Sequence, residues 1–170
     1  MIHPKKEESE FRSLAKKIGY EPNNIQHFIE AFDCQRIHSD SDGANRKNYG
    51  YSAMATVGDA VLKFILAECI FEWVGDKGRI TQMKAELEKD DILSTIAKKN
   101  GFKGFYYTES AKYASSGSMI SNKKEVSNQF EAVVFAIYKD LGLQGAQNWV
   151  KNWFIEIALS NYFHQASNNV

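Results

Sequence analysis

The chain has 170 residues, 44% of them hydrophobic and 25% charged, which is enough apolar material for a core and too much for a disordered chain. Its 21 Lys and Arg balance 21 Asp and Glu, so no global field points to nucleic acid or an anionic membrane. Two cysteines, Cys34 and Cys69, exclude a disulfide framework, and no Cys/His cluster offers zinc-ligand spacing.

With only two prolines and eleven glycines, long stretches lack helix breakers, and the expected fold class is all-α. The N-terminal residues carry no apolar run of the kind a signal peptide needs, and no window approaches the ~18 apolar residues of a membrane span. The expectation is a soluble, cytoplasmic chain without membrane contact, folded as one domain over residues 1–165 with a polar tail at 166–170.

Along the chain, Phe11, Leu14, Ala15 and Ile18 keep helical spacing up to Gly19, and Ile25, Phe28, Ile29 and Phe32 follow after Pro22, so Glu8 to Phe32 predicts two short helices. Asp33 to Tyr49 is polar around Ser39-Asp40-Ser41-Asp42-Gly43 and predicts a loop. From Met54 to Ile70 a 3.6-residue apolar period persists for over four turns, which predicts a long and largely buried helix. Ile80 to Lys98 predicts a charged amphipathic helix or helix pair, with Met83, Leu87, Leu93 and Ile96 inside, Lys84, Glu86, Glu88, Lys89 and Asp90 outside, and Gly101 as its stop. Tyr106 to Lys124 has no usable period and predicts a polar loop, followed by helices over Val126–Tyr138 and Ala146–Phe163.

Charge is unevenly spread. Between Asp76 and Lys124 there are ten Lys/Arg against six Asp/Glu, and Lys84, Lys112, Lys123 and Lys124 in this window are candidate phosphate contacts. The sequence holds no glycine-rich phosphate loop and no GxSxG. Two acids stand out because their neighbours are apolar: Asp59 in Thr56-Val57-Gly58-Asp59-Ala60-Val61-Leu62, and Glu131 in Phe130-Glu131-Ala132-Val133-Val134. A buried carboxylate without a partner costs several kcal/mol, so each needs a cation, a donor or water. Two such carboxylates meeting from separate helices would suit Mg²⁺, which binds few protein oxygens and keeps several waters.

At these residues the sequence resembles the ribonuclease III catalytic domain. Gly58-Asp59-Ala60-Val61-Leu62 repeats the end of the family's first signature, and Phe130-Glu131-Ala132 running into Ala136-Ile137-Tyr138 and Asp140-Leu141-Gly142 repeats the second. Ile18-Gly19-Tyr20 and the Ser115 to Ser118 turn add support, and the likeness spans about Phe11 to Phe154. It implies an all-helical endonuclease fold, a homodimer with the helix of Met54 and Val57 at its interface, double-stranded or structured RNA as substrate, and Mg²⁺, with Mn²⁺ as an alternative, held by Asp59 and Glu131.

Two family acids are replaced. Ala55 stands where a glutamate lies four residues before the aspartate, and Asn128 where an acid lies three before Glu131, keeping an oxygen without its charge. Thr56 occupies the place of an aromatic plug. This pattern is similar to the small Mini-III relatives, and the expectation is a chain without a double-stranded-RNA-binding domain. The expected catalytic set is Asp59, Glu131 and Asn128; the alternative is an inactive RNA-binding or ribosome-associated protein on the same fold.

Overall fold

The computed structural model describes residues 5–34, 50–107 and 123–160. Helix α1 (Glu8–Lys17) starts where the Glu10 carboxylate accepts the Glu7 backbone N–H at 3.1 Å, and it turns Phe11, Leu14 and Ala15 inward. The Asn24 side chain caps α2 (Ile25–Glu30) by accepting the Gln26 N–H at 3.1 Å. Helix α3 (Gly50–Val74) follows, then α4 (Lys77–Leu87), whose first turn is closed by Asp76 accepting the Arg79 N–H, and α5 (Asp90–Lys99). A short 3₁₀ turn covers Phe102–Phe105. Helix α6 (Lys123–Trp149) bends at Gly142 and runs through a π turn (Val150–Phe154) into a last helical stretch at 155–160.

The all-α expectation holds: among the described residues the β pairing is a single bridge between Asp33 and Tyr107. Helix α3 starts four residues before Met54 and ends four after Ile70, because Tyr51 is buried and Val74 packs on the core. The segment expected as one helix or two is two, since α4 stops at Leu87 and Lys89 caps α5. The last two expected helices are joined at Gly142, whose φ of 70° only glycine adopts readily. Tyr106 and Tyr107, expected in a polar loop, are buried, and Tyr107 exchanges backbone hydrogen bonds with Phe32 and Cys34. Lys123 and Lys124 belong to the first turn of α6 rather than to a loop. The expected loop residues 35–49 and 108–122 and the tail lie outside the described residues.

Helix α3 packs most extensively on α6, and α5 packs on α6 as well. Rings fill the space around them. Phe32 meets Phe102 at 5.3 Å, Phe102 stacks on Phe130 at 6.2 Å, and Phe130 meets Phe154 at 5.2 Å and Trp149 at 5.9 Å. Each such pair adds roughly 0.5–1.5 kcal/mol beyond its buried area. Phe130 is thereby fixed in the core, and the next residue on α6 is Glu131.

Asp140 ties the far end of α6 to the chain before α2. Its carboxylate accepts the Tyr20 hydroxyl at 2.7 Å and the Asn23 and Asn24 N–H groups, each at 2.8 Å. Burial and this carboxylate push the Tyr20 hydroxyl pKa far up, so Tyr20 stays a donor. Because three charge-assisted bonds end on one carboxylate, Asp140→Ala should lower unfolding free energy by on the order of 3 kcal/mol. Urea denaturation checks this; a loss below about 1 kcal/mol would show the three bonds to be dispensable.

Candidate active site

The two outstanding acids are brought together by a glycine. At Gly58 helix α3 lies so close to α6 that a Cβ there would sit 1.8 Å from the Glu131 carbonyl oxygen and 3.3 Å from the Phe135 nitrogen. A mid-helix glycine costs roughly 1 kcal/mol relative to alanine, and this contact is what it permits. Asp59 follows Gly58 on α3 and Glu131 is the residue touched on α6, so close approach of two backbones sets the two carboxylates beside each other. The glycine was visible in the sequence only as part of a signature. The signal of its role was its place inside an otherwise unbroken helical period.

Glu131 is 7% exposed. Its carboxyl is pushed from the ordinary 4.5 up to about 7, first by burial and then by the charge of Asp59; Asp90 adds to the rise, while Lys124 and Lys63 oppose it, and no hydrogen bond is among these influences. Asp59 is more open, with 36% of its side chain exposed, and its Oδ2 accepts the Lys63 ammonium at 2.8 Å. That bond holds the Lys63 pKa up.

Asn128 is half-buried one turn before Glu131, so its amide shares the Glu131 face of α6. Ala55 is 3% exposed, and its methyl group is part of the core on α3. Sequence reasoning missed Asp90. It was expected as a solvated charge of an amphipathic helix, yet its Oδ1 accepts the Ser127 hydroxyl at 2.7 Å and the Lys124 ammonium at 3.2 Å, which sets it against α6 one turn before Glu131. An Asp in a first helical turn usually serves the helix dipole, so nothing in the local sequence distinguished it.

The three candidate phosphate-binding lysines within the described residues are paired with acids. Lys84, expected outside, is half-buried and donates to both Glu88 oxygens at 2.8 and 3.1 Å. Lys123 pairs with Asp91 and Lys124 with Asp90. Lys112 lies outside the described residues. Glu88 in turn acts on Lys63, so alternating charges run from Lys84 on α4 across α3 to α6 and α5. Exposed pairs of this kind hold by only about 0–1 kcal/mol, so a phosphate can exchange for the acid partner.

The donor set suits a hard cation. Asp59, Glu131 and the Asn128 amide offer oxygen donors, and among the described residues no hydrogen bond is counted among the influences on the Glu131 carboxyl. Among the described residues no three of His, Cys, Asp and Glu converge as a closed metal cage would require. A divalent ion here would therefore take few protein oxygens and retain waters, as Mg²⁺ commonly does. No helix among the described residues is long and apolar enough to cross a membrane.

Comparison with known proteins bears on the same residues. The profile described as "Ribonuclease III domain" matches residues 52–142, which contain Asp59, Asn128 and Glu131. Ribonuclease 3 of Mycoplasmoides pneumoniae is 30% identical over 94% of this chain and 56% of its own length. Ribonuclease 3 of Mycoplasmopsis synoviae is 27% identical over 88% of this chain and 63% of its own length. The chain thus spans 56% and 63% of these relatives' own lengths, under two thirds of each. Among solved structures, the nuclease domain of ribonuclease III from Campylobacter jejuni superposes with a TM-score of 0.67 at 20% identity, covering 89% of this chain and 98% of that one.

Proposed function

The chain belongs to the ribonuclease III family, and from that premise we propose that it is an endoribonuclease that hydrolyses phosphodiester bonds in double-stranded or structured RNA during RNA processing. The observation carrying this reading is the meeting of Asp59 with the buried Glu131 across the Gly58 contact. These two carboxylates would hold Mg²⁺, with Mn²⁺ accepted by the same donors. When bound, the ion supplies polarisation of the scissile phosphate and activation of water. Asn128 orients water through its amide oxygen and contributes no charge. Lys84, Lys112, Lys123 and Lys124 would meet backbone phosphates, which suits A-form RNA because it is recognised by shape and backbone more than by base edges.

The working unit of this proposal is a homodimer in the cytoplasm, built from one domain over residues 1–165. Its support is a stripe of exposed apolar side chains on α3: Val57, Phe64 and Phe71 are 43%, 52% and 63% exposed and recur every seven residues, hence on one face. The stripe lies on the same helix as Met54 and Val57, where the interface is expected; Val57 is part of it, while Met54 packs on the core. Phe64→Asp should leave a 19.3 kDa monomer in sedimentation, where the unaltered chain should give twice that mass. Equal masses for both would count against the stripe as the interface.

One observation favours a second reading, RNA binding without cleavage: the Lys63 ammonium already neutralises Asp59. Incubation of labelled duplex RNA with the protein, in Mg²⁺ and in EDTA, separates the two. Cutting in Mg²⁺ alone supports the nuclease, binding without cutting supports the second reading, and neither result overturns both.

A further inference from the structure

We propose that Asp90, at the start of α5, is the third anionic group of this site and contributes to its affinity for a divalent cation through the waters the ion retains. The inference rests on the reading of Asp59 and Glu131 as the cation's protein ligands. The geometry that carries it is local. Asp90 Oδ1 takes both the Ser127 hydroxyl at 2.7 Å and the Lys124 ammonium at 3.2 Å, while neither of these contacts uses Oδ2. Ser127 and Glu131 are four residues apart on α6 and therefore share a face, with side chains roughly 5–6 Å apart at Cβ. A carboxylate fixed on Ser127 thus faces the place where Glu131 lies buried at 7% exposure.

Direct ligation by all three acids is not what the structure offers, because they do not converge as a cage. A hydrated cation extends its reach by one water layer, and Mg²⁺ commonly keeps several waters. The groups around that place are Asp59, Glu131 and Asp90, opposed by Lys63 and Lys124. Removing one of three negative charges leaves two against two, so the site loses its net attraction for a cation. Asn128 neighbours Ser127 and lies three residues before Glu131, so a carboxylate at residue 128 would restore negative charge on the same face.

The test is Mn²⁺ binding by titration calorimetry on the intact protein, without RNA. Asp90→Asn keeps an oxygen for Ser127 and removes the charge; it should weaken Mn²⁺ binding about three- to tenfold while leaving the melting temperature in EDTA nearly unchanged. Asn128→Asp added to Asp90→Asn should recover the affinity. Unchanged binding in Asp90→Asn, with binding lost in Asp59→Asn, would overturn the role of Asp90 and leave the two-carboxylate site standing. Unchanged binding in Asp59→Asn as well would overturn both. Should Asp90→Asn fail to fold, Asn128→Asp alone must tighten Mn²⁺ binding, and the proposal fails if it does not.

Discussion

Gly58→Ala is expected to be among the most damaging single-methyl changes in the protein. The added Cβ would lie 1.8 Å from the Glu131 carbonyl oxygen, and the obstacle is backbone that cannot rotate away. Alanine favours the helix by roughly 1 kcal/mol over glycine, whereas overpacking costs about 1–3 kcal/mol where side chains can yield and more where they cannot. The overlap therefore wins, and a net loss on the order of 3 kcal/mol is expected. Helices α3 and α6 can relieve it only by moving apart, which also separates Asp59 from Glu131. Mn²⁺ affinity should fall even in the fraction that remains folded. A variant that melts at or above the temperature of the unaltered chain would show that the helices do not touch at this point.

Glu131→Gln should give the opposite pairing of effects: cleavage lost and stability gained. Its carboxyl, ordinarily near 4.5, is held up to about 7 by burial and by the charges of Asp59 and Asp90. Between these two values the folded chain keeps a proton that the unfolded chain has released, so stability falls as pH rises through the window. Above about 7 the full penalty is present, on the order of 3 kcal/mol for a shift of this size. Glutamine removes it at nearly constant volume. In EDTA, Glu131→Gln should therefore match the unaltered protein near pH 4.5 and exceed it by roughly 2–3 kcal/mol at pH 8. Equal unfolding free energies at pH 8 would mean that the carboxylate is better solvated than its burial indicates. The same variant should cut no duplex RNA, because one of two anionic ligands is gone.

Much of this arrangement could be read from residue order. The α3 pattern is unambiguous because apolar residues recur for many turns, and α1 and α2 carry both a period and punctuation. Asp59 and Glu131 were conspicuous because charge is expensive among apolar neighbours. What sequence could not supply was the effect of other segments. The pairing of Lys123 and Lys124 with Asp91 and Asp90 joins α6 to α5 across more than thirty positions, and no local pattern encodes it. Tyr106 and Tyr107 are buried because Phe32 and Cys34 bond the backbone there, a contact that overrides a polar context. Ala55 and Asn128 differ in a way only the fold shows. The first is buried in the core, while the second is half-buried and differs from an aspartate by little in size.

Asp59 and Glu131 are proposed as the protein ligands of the cation that cuts duplex RNA. The most direct measurement is the single-turnover cleavage rate of one labelled duplex in Mg²⁺ by the unaltered chain, Asp59→Asn and Asn128→Asp, with EDTA as the blank. Cleavage is expected from the unaltered chain, none from Asp59→Asn, and a faster rate from Asn128→Asp because another anionic oxygen faces the ion. Cleavage that survives Asp59→Asn, or that appears only in Asn128→Asp, would contradict this assignment.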